Sequence, residues 1–259
     1  MSFRLAVLQA PGNLPDVAAR LAWLDATLAG LSGKADLALC PELFATGYNI
    51  GDSVVQRAEP SNGPISKALA NLARYRGVAL HCGFAEVADG QIYNLAQCYG
   101  RDGVKMVEQR KLAIPPGPER AHYAPGQGCS VFGFMGVRIA TLICYDIEFV
   151  EPARHVAGLG ADLILAPTAL GAQWGWVSRT MVPTRAYENG VYLAYANHCG
   201  IDHGLGFLGE SFVAAPDGEE MARAGAGEEV LLVEIDPARV KTAQARLPYV
   251  AERGGLRLG

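Results

Sequence analysis

The chain has 259 residues, half of them hydrophobic and 19% charged, which is enough apolar material for one large α/β domain and argues against extended disorder. The net charge is −4 and the Lys and Arg residues are scattered, so a basic surface that binds nucleic acid is not expected. The N-terminal apolar run is short and broken at Pro11, and no stretch reaches the ~18 apolar residues of a membrane helix. We therefore expect a cytoplasmic protein without a membrane anchor, whose six cysteines are mostly buried and reduced.

Strand-like and helix-like patterns alternate along the first half of the chain. Apolar runs and helical spacings predict strands over 3–9, 35–40, 78–85, 91–99 and 104–109, and helices over 14–31 and 65–75. The segments 47–63 and 115–128, rich in Gly, Pro and polar residues, are predicted to be loops.

The second half continues the alternation. The pattern predicts strands over 137–143, 162–166, 191–196, 209–215 and 230–235, and helices over 144–157 and 177–189, before an amphipathic tail that starts at Lys241. No change of composition marks a linker, so residues 1–259 are predicted to form a single α/β domain.

A weak internal repeat links the two halves. Residues 35–41 (ADLALCP) match residues 161–167 (ADLILAP) at five of seven positions. Each copy is followed by Gly-Val-x-Leu, at 77–80 and 190–193, and then by Asp-Gly-x-x-Met, at 102–106 and 217–221. The order predicts two halves related by a pseudo-two-fold axis, with their sheets packed face to face. The alternative is that short strand-and-turn phrases recur by chance.

The stretch 136–152 carries the first candidate for chemistry. An apolar, β-branched run ends at Cys144, acidic residues follow, and Pro152 lies where a first helical turn is expected. A thiol at the end of a buried strand is held rigidly and can face a pocket, but it needs a nearby base to act as a nucleophile.

Two further charged residues follow predicted strands. Glu42 comes after the strand 35–40, and Lys111 comes after the strand 104–109. Since a free thiol has a pKa near ~8.5, Glu42 could take its proton and later return it to a leaving amine. Lys111 could stabilise an oxyanion together with the backbone N–H of Tyr145. Spacing alone does not establish this group, because any α/β protein has charged residues at strand ends.

The chain resembles the nitrilase, or carbon–nitrogen hydrolase, superfamily. The matching phrases are PE at 41–42 with TGY at 46–48, RKL at 110–112, LICYD at 142–146, GAD at 160–162, RAYEN at 185–189, and GES at 209–211 leading to PDG at 216–218. The resemblance implies a catalytic triad of Glu42, Lys111 and Cys144, and a four-layer αββα sandwich with an internal pseudo-two-fold axis. It also implies a homodimer or larger homo-oligomer, and no cofactor.

The resemblance extends to the branch of the superfamily. Glu119 lies eight residues after Lys111, as in the amidases, where it would position the substrate or the deacylating water; an ion pair with Arg120 or Arg110 is the alternative. Tyr145 follows the cysteine where members that act on nitriles usually have Trp. The phrase GPER at 117–120, with the Tyr and Pro-Gly that follow it, resembles aliphatic and (R)-selective amidases.

The expected reaction is hydrolysis of a small carboxamide to a carboxylic acid and ammonia through a cysteine thioester. The alternatives are a nitrilase, an N-carbamoyl amide hydrolase, which the absence of a basic cluster disfavours, and a catalytically silent homologue that acts as a binding protein. The candidates for substrate contact, for which ordinary packing is the alternative, are Tyr48, Tyr145, Leu170 and Trp174.

Histidines offer two other interpretations. The pairs His81-Cys82 and His198-Cys199, with His203, lack the ligand spacing of a zinc site, so no metal is expected. A dyad of His155 with the nucleophilic cysteine is disfavoured, because His155 lies on the helix predicted to follow it.

Overall fold

The computed structural model describes residues 2–257. Its strands are β1 (Phe3–Pro11), β2 (Leu37–Leu39), β3 (Ala79–Ala88), β4 (Gln91–Tyr99), β5 (Lys105–Arg110), β6 (Tyr123–Ala124), β7 (Val131–Phe134), β8 (Val137–Thr141), β9 (Leu163–Pro167), β10 (Tyr192–Ala196), β11 (His198–Cys199), β12 (Ile201–Asp202), β13 (Leu205–Gly206), β14 (Phe212–Ala214), β15 (Glu220–Arg223) and β16 (Glu229–Ile235). Its helices are α1 (Val17–Leu31), α2 (Val54–Arg57), α3 (Pro64–Arg76), α4 (Glu119–His122), α5 (Tyr145–Glu148), α6 (Val150–Gly158), α7 (Val182–Asn189), α8 (Pro237–Arg246) and α9 (Tyr249–Glu252).

Two large sheets share one strand order. In the first sheet the order is β16-β1-β2-β3-β4-β5, and in the second it is β7-β8-β9-β10-β14-β15. In both sheets the second, third and fourth strands of this order are parallel and the other pairings along it are antiparallel. The short strands β11 and β6 also belong to the first sheet and pair in parallel with β1 and β4. The pseudo-two-fold relation predicted from the internal repeat is therefore confirmed.

The repeat also preserves individual contacts. Asp36 Oδ2 accepts the backbone N–H of Arg4 at 2.7 Å, and Asp162 Oδ2 accepts the backbone N–H of Arg138 at 2.8 Å. Each aspartate precedes the middle parallel strand of its sheet and ties it to the neighbouring parallel strand. Matching backbone bonds confirm that the two ADL phrases have the same structural role.

The register of the strands shows which residues correspond across the axis. Leu5 pairs with Leu37 in the first sheet, and Ile139 pairs with Leu163 in the second. Counting along the strands, Ala10 takes the position of Cys144 and Thr168 takes the position of Glu42. β1 runs on through Ala10 to pair with β11, whereas the chain leaves the second sheet after β8.

Apolar side chains on the facing sides of the two sheets form a central core. Leu5 and Leu37 of the first sheet are fully buried with Ile139 and Leu163 of the second. A second cluster lies between the first sheet and helices α1 and α3, and a third lies between the second sheet and helices α6 and α7. The four-layer αββα sandwich is confirmed. Within residues 2–257, no helix has both the length and the apolar character needed to cross a bilayer.

The helix predicted over 144–157 is two helices. Phe149 adopts an extended conformation between α5 and α6, with φ −83° and ψ 141°. In a continuous helix Pro152 could not donate to the carbonyl of Glu148 and its ring would clash with that oxygen. After the break, Pro152 lies in the first turn of α6, and Glu148 O accepts instead from Arg185 Nη2 at 2.7 Å.

The two segments predicted as loops contain short ordered pieces. The segment 47–63 contains α2, and the segment 115–128 contains α4 and β6. Each helix is a single turn, which is too short to leave a helical hydrophobic period in the sequence. The turn α4 matters for the site, because it carries Glu119.

Candidate active site

Cys144 lies at a sharp turn between β8 and α5. Its backbone has φ 47° and ψ −101°, in a left-handed region that non-glycine residues rarely adopt. Its N–H donates to Pro167 O at 2.9 Å, so the end of β9 holds the turn in place. The residue is only 8% exposed. A strained backbone of this kind costs about 1–3 kcal/mol and persists only where its surroundings enforce it.

Glu42 follows β2 and is fully buried. Its N–H donates to Thr168 O at 3.3 Å, which joins two residues that correspond across the pseudo-two-fold axis. Its carboxylate oxygen Oε1 accepts from Lys111 Nζ and from Asn94 Nδ2, both at 2.7 Å. Its other oxygen, Oε2, is buried and has no nitrogen or oxygen partner among the described residues. This oxygen is therefore available to accept a proton from Cys144.

Lys111 directly follows β5, and its side chain is fully buried. Its backbone N–H donates to Asn94 O at 2.8 Å, and its Nζ donates to Glu42 Oε1 and to Glu119 Oε2, both at 2.7 Å. An ammonium group has three N–H donors, so one remains for a bound group.

Glu119 projects from α4 towards the same ammonium. Its second oxygen, Oε1, accepts from the Tyr48 hydroxyl at 2.6 Å. The alternative ion pair with Arg120 or Arg110 does not form: Arg110 binds Glu86 through Nε and Nη2, and Arg120 Nε donates to the backbone of the preceding loop.

Burial sets the protonation of the site. It raises the pKa of Glu42 to about 7, against the opposing charge of Lys111. It also raises the pKa of the Cys144 thiol well above its usual value, and the Glu42 charge adds to that effect. For Lys111, burial alone would lower the pKa, but the negative charges of Glu42 and Glu119, and of Cys144 whenever its sulfur is ionised, outweigh burial, so the pKa is raised. At neutral pH the thiol is protonated and the lysine is charged.

The remaining predicted pocket residues are placed differently from one another. Tyr145 is half-buried, and its ring packs edge-on against Phe149 with a centroid distance of 4.9 Å. Leu170 is buried in the core between the second sheet and its helices. Trp174 is 57% exposed on a short 3₁₀ turn, outside the buried group. The structure thus gathers Glu42, Lys111, Glu119 and Cys144, with Tyr48 on Glu119.

Two buried polar residues at the site were missed by the sequence analysis. Asn94 donates its amide to Glu42 and its backbone carbonyl accepts from Lys111, so it links both residues. Its only signal was a buried-strand pattern with an Asn in the middle, in a strand that also contains Gln91 and Gln97. Asp146 accepts backbone N–H groups from the turn around Cys144 and from the residues after Lys111. It lies inside a matched phrase, but no role for its side chain could be read from the pattern.

The two buried histidines form hydrogen bonds that do not involve the Cys144 thiol. His81 Nε2 bonds Thr141 Oγ1 and His198 Nε2 bonds the backbone oxygen of Glu42, both at 2.8 Å. Burial lowers the pKa of each to about 3, so both are neutral. His155 is exposed on α6. Over residues 2–257, no cluster of three or more His, Cys, Asp or Glu side chains is placed to hold a metal ion.

The chain is similar in sequence to known hydrolases. The family model described as carbon-nitrogen hydrolase matches residues 4–245. A Pseudomonas protegens protein named "Hydrolase in pqqF 5'region" is 36% identical over 97% of this chain and 89% of its own length. An (R)-stereoselective amidase from a Pseudomonas species is 33% identical over 96% of this chain and 91% of its own length.

Solved structures give the same result at the level of the fold. The crystal structure of an amidase from Nesterenkonia sp. is 32% identical, with a TM-score of 0.86 over 98% of this chain and 96% of that one. A cysteine-to-alanine variant of that amidase has been solved in complex with butyramide, with the same TM-score and identity over 98% of this chain and 97% of that one.

Proposed function

Because the chain belongs to the carbon–nitrogen hydrolase family, we propose that it is an amidase that converts a small carboxamide to a carboxylic acid and ammonia through a thioester on Cys144. One observation carries the proposal. A fully buried ammonium, Lys111 Nζ, donates at 2.7 Å to Glu42 Oε1 and to Glu119 Oε2, and the buried Cys144 thiol is near enough that a charge on its sulfur raises the pKa of this ammonium. A base, a cation and a thiol in one buried place suit acyl transfer.

In the acylation half, Glu42 takes the thiol proton as Cys144 attacks the amide carbonyl carbon. The negative charge that develops on the carbonyl oxygen is stabilised by the free N–H of Lys111 and by the backbone N–H of Tyr145, which has no helical partner because Tyr145 opens α5. Glu42 then passes the proton to the departing nitrogen, the C–N bond breaks, and ammonia leaves. The product on the enzyme is a thioester.

In the deacylation half, Glu42 accepts a proton from water as the water attacks the thioester. The tetrahedral intermediate collapses, the C–S bond breaks, and the proton returns to Cys144. Glu119 stays fixed by Tyr48 and Lys111, so we assign it the role of positioning substrate and water rather than moving protons. No step requires a cofactor.

The charge at the site points to a neutral substrate. Glu42 and Glu119 share a single buried ammonium, so an additional carboxylate on the substrate would meet net negative charge. Together with the butyramide bound to the related amidase, this favours short, uncharged carboxamides.

The proposal is tested by ammonia release from butyramide, benzamide and an N-carbamoyl amino acid, before and after treatment with iodoacetamide. We expect turnover of an uncharged amide that alkylation abolishes, and a mass increase of the acyl group on Cys144 when the reaction is quenched early. No ammonia from any amide would overturn the proposal and favour the binding-protein alternative, and direct conversion of butyronitrile would favour the nitrilase alternative.

The pKa of Glu42 predicts the pH profile. Burial raises this pKa to about 7, and the ionised carboxylate is the active form, so activity should be lost as the pH falls through 7. We expect kcat/KM to fall about tenfold per pH unit well below this value and to level off above it. Initial rates between pH 5 and pH 9, with circular dichroism to verify folding, measure it. A flat profile across the acidic range would contradict the role of Glu42 as the base.

We also propose that residues 1–259 act as one domain and that the chain forms a homodimer or larger assembly. In the monomer, the helical layer over the second sheet leaves several large apolar residues exposed to water, and such a surface is typical of a protein–protein interface. These residues are Phe149, Val150, Trp176, Tyr187 and Tyr249. Sedimentation velocity should give a mass of at least twice the 27.4 kDa of one chain.

A further inference from the structure

A carboxylate that the proposed mechanism does not use joins the two segments that carry its reacting groups. Asp146 is fully buried and lies two residues after Cys144. Its Oδ2 accepts the N–H of Ile143, the residue before the nucleophile, at 3.0 Å. Its Oδ1 accepts the N–H of Leu112 at 3.0 Å and of Ala113 at 2.8 Å, and the Leu112 N–H also reaches Oδ2 at 3.2 Å; these two residues directly follow Lys111.

These bonds connect places that are distant in the chain. Leu112 belongs to the end of the first sheet and Ile143 to the end of the second, and Asp146 bridges them through a single side chain. Lys111 is held on its other side by the bond from Gly126 N to its own carbonyl, at 2.7 Å. A shift of the Asp146 carboxylate would therefore move the ammonium relative to the sulfur.

The same carboxylate encloses the strained turn. Ile143 donates to Asp146 Oδ2, while Asp146 N donates back to Ile143 O at 3.0 Å, which closes a small ring around Cys144. The left-handed backbone of Cys144 is a conformation that must be imposed by its neighbours.

We propose that Asp146 is a positioning residue, which sets the distance between the Cys144 sulfur and the Lys111 ammonium and holds the strained backbone of the nucleophile. The inference rests on the proposed function only in assigning Cys144 and Lys111 their roles. The Asp146 carboxylate accepts from the backbone N–H groups of Leu112, Ala113 and Ile143, so it acts through the chain on either side of the reacting residues.

Asn at this position tests the proposal without changing the size of the side chain. The carboxylate of Asp146 offers an acceptor to each segment, but an Asn offers one oxygen and one NH₂ group. In Asp146→Asn, the NH₂ must face N–H donors on one side, so the N–H of Ile143 loses its acceptor if the NH₂ replaces Oδ2, and the N–H of Ala113 loses its acceptor if the NH₂ replaces Oδ1. A displacement of about 1 Å at a reacting centre can cost about 100-fold in rate.

The matched control is Asp162→Asn. Asp162 also accepts a backbone N–H between neighbouring strands, but at the opposite end of the second sheet. We expect both variants to have a lower melting temperature. Only Asp146→Asn should lower kcat for butyramide, by about 100-fold with KM changed by less than about threefold, and only this variant should alter the rate at which iodoacetamide alkylates Cys144.

A second measurement does not depend on the variants. In the wild-type protein, the amide hydrogens of Leu112, Ala113 and Ile143 should exchange slowly with deuterium, because each donates a hydrogen bond to the buried carboxylate of Asp146. Exchange at the rate of exposed loop amides would overturn the inference. So would an Asp146→Asn variant that matches Asp162→Asn in kcat and in alkylation rate. If the wild-type protein hydrolyses no amide, the proposed function fails, while alkylation and exchange still decide the role of Asp146.

Discussion

Replacing Cys144 with alanine is expected to lower kcat for amide hydrolysis by about 10⁴-fold or more, because no other group in the site can form the acyl intermediate. Glu42, Lys111 and Glu119 bond to one another without the sulfur, so the pocket should stay intact and continue to bind amide. Ammonia release gives the rate, and isothermal titration with butyramide gives the affinity.

Cys129→Ser is the matched control, since Cys129 is a half-buried free cysteine with no hydrogen bond to Glu42, Lys111 or Cys144 within the described residues. This variant should keep its activity and its sensitivity to iodoacetamide. If Cys144→Ala retained activity, or if Cys129→Ser lost it, the nucleophile would be misassigned.

Lys111→Met is expected to lower both activity and stability. Without the ammonium, Glu42 and Glu119 would be two buried carboxyl groups with no cation between them, so at least one would take up a proton. Removing one member of a buried ion pair typically costs about 3–5 kcal/mol of unfolding free energy. Loss of an oxyanion donor should add a fall of about 10³-fold in kcat.

Lys105→Met provides the comparison for a solvent-exposed lysine. Lys105 pairs with Glu108 at 2.6 Å, but both side chains are more than one-third exposed. An exposed pair of this kind contributes about 1 kcal/mol or less. Urea unfolding at pH 7.5 measures both variants. If Lys111→Met and Lys105→Met lost the same unfolding free energy, the buried ion pairs of Lys111 would not contribute more to stability than an exposed pair.

Much of the fold could be predicted, because the sequence patterns that indicate its strands lie within short stretches of chain. Apolar runs defined the parallel strands of both sheets, and the repeated ADL phrase indicated the two-fold relation because the same backbone bond is needed in each half. The ends of those strands then identified where Glu42, Lys111 and Cys144 leave the sheets. Their roles in catalysis stay predictions that the variants above test.

The contacts that complete the site are not local, so the sequence pattern could not indicate them. Tyr48 meets Glu119 across 71 residues of chain, and Asn94 meets Glu42 across 52. The break at Phe149 had a local signal in Pro152, but the Glu148 carbonyl that the break leaves free is bonded by Arg185 of another helix. In each case the partner is chosen by the packing of the sheets and helices, which spacing along one segment does not encode.

The correspondence of Ala10 with Cys144, and of Thr168 with Glu42, has a stoichiometric consequence. The two halves of the sandwich have equivalent positions at the ends of their parallel strands. At one set of positions the side chains are the sulfur of Cys144 and the carboxylate of Glu42, and at the other they are the methyl group of Ala10 and the hydroxyl of Thr168. Under the proposed mechanism each polypeptide can therefore be acylated at one cysteine, and a quenched reaction should carry at most one acyl group per chain, whatever the size of the assembly.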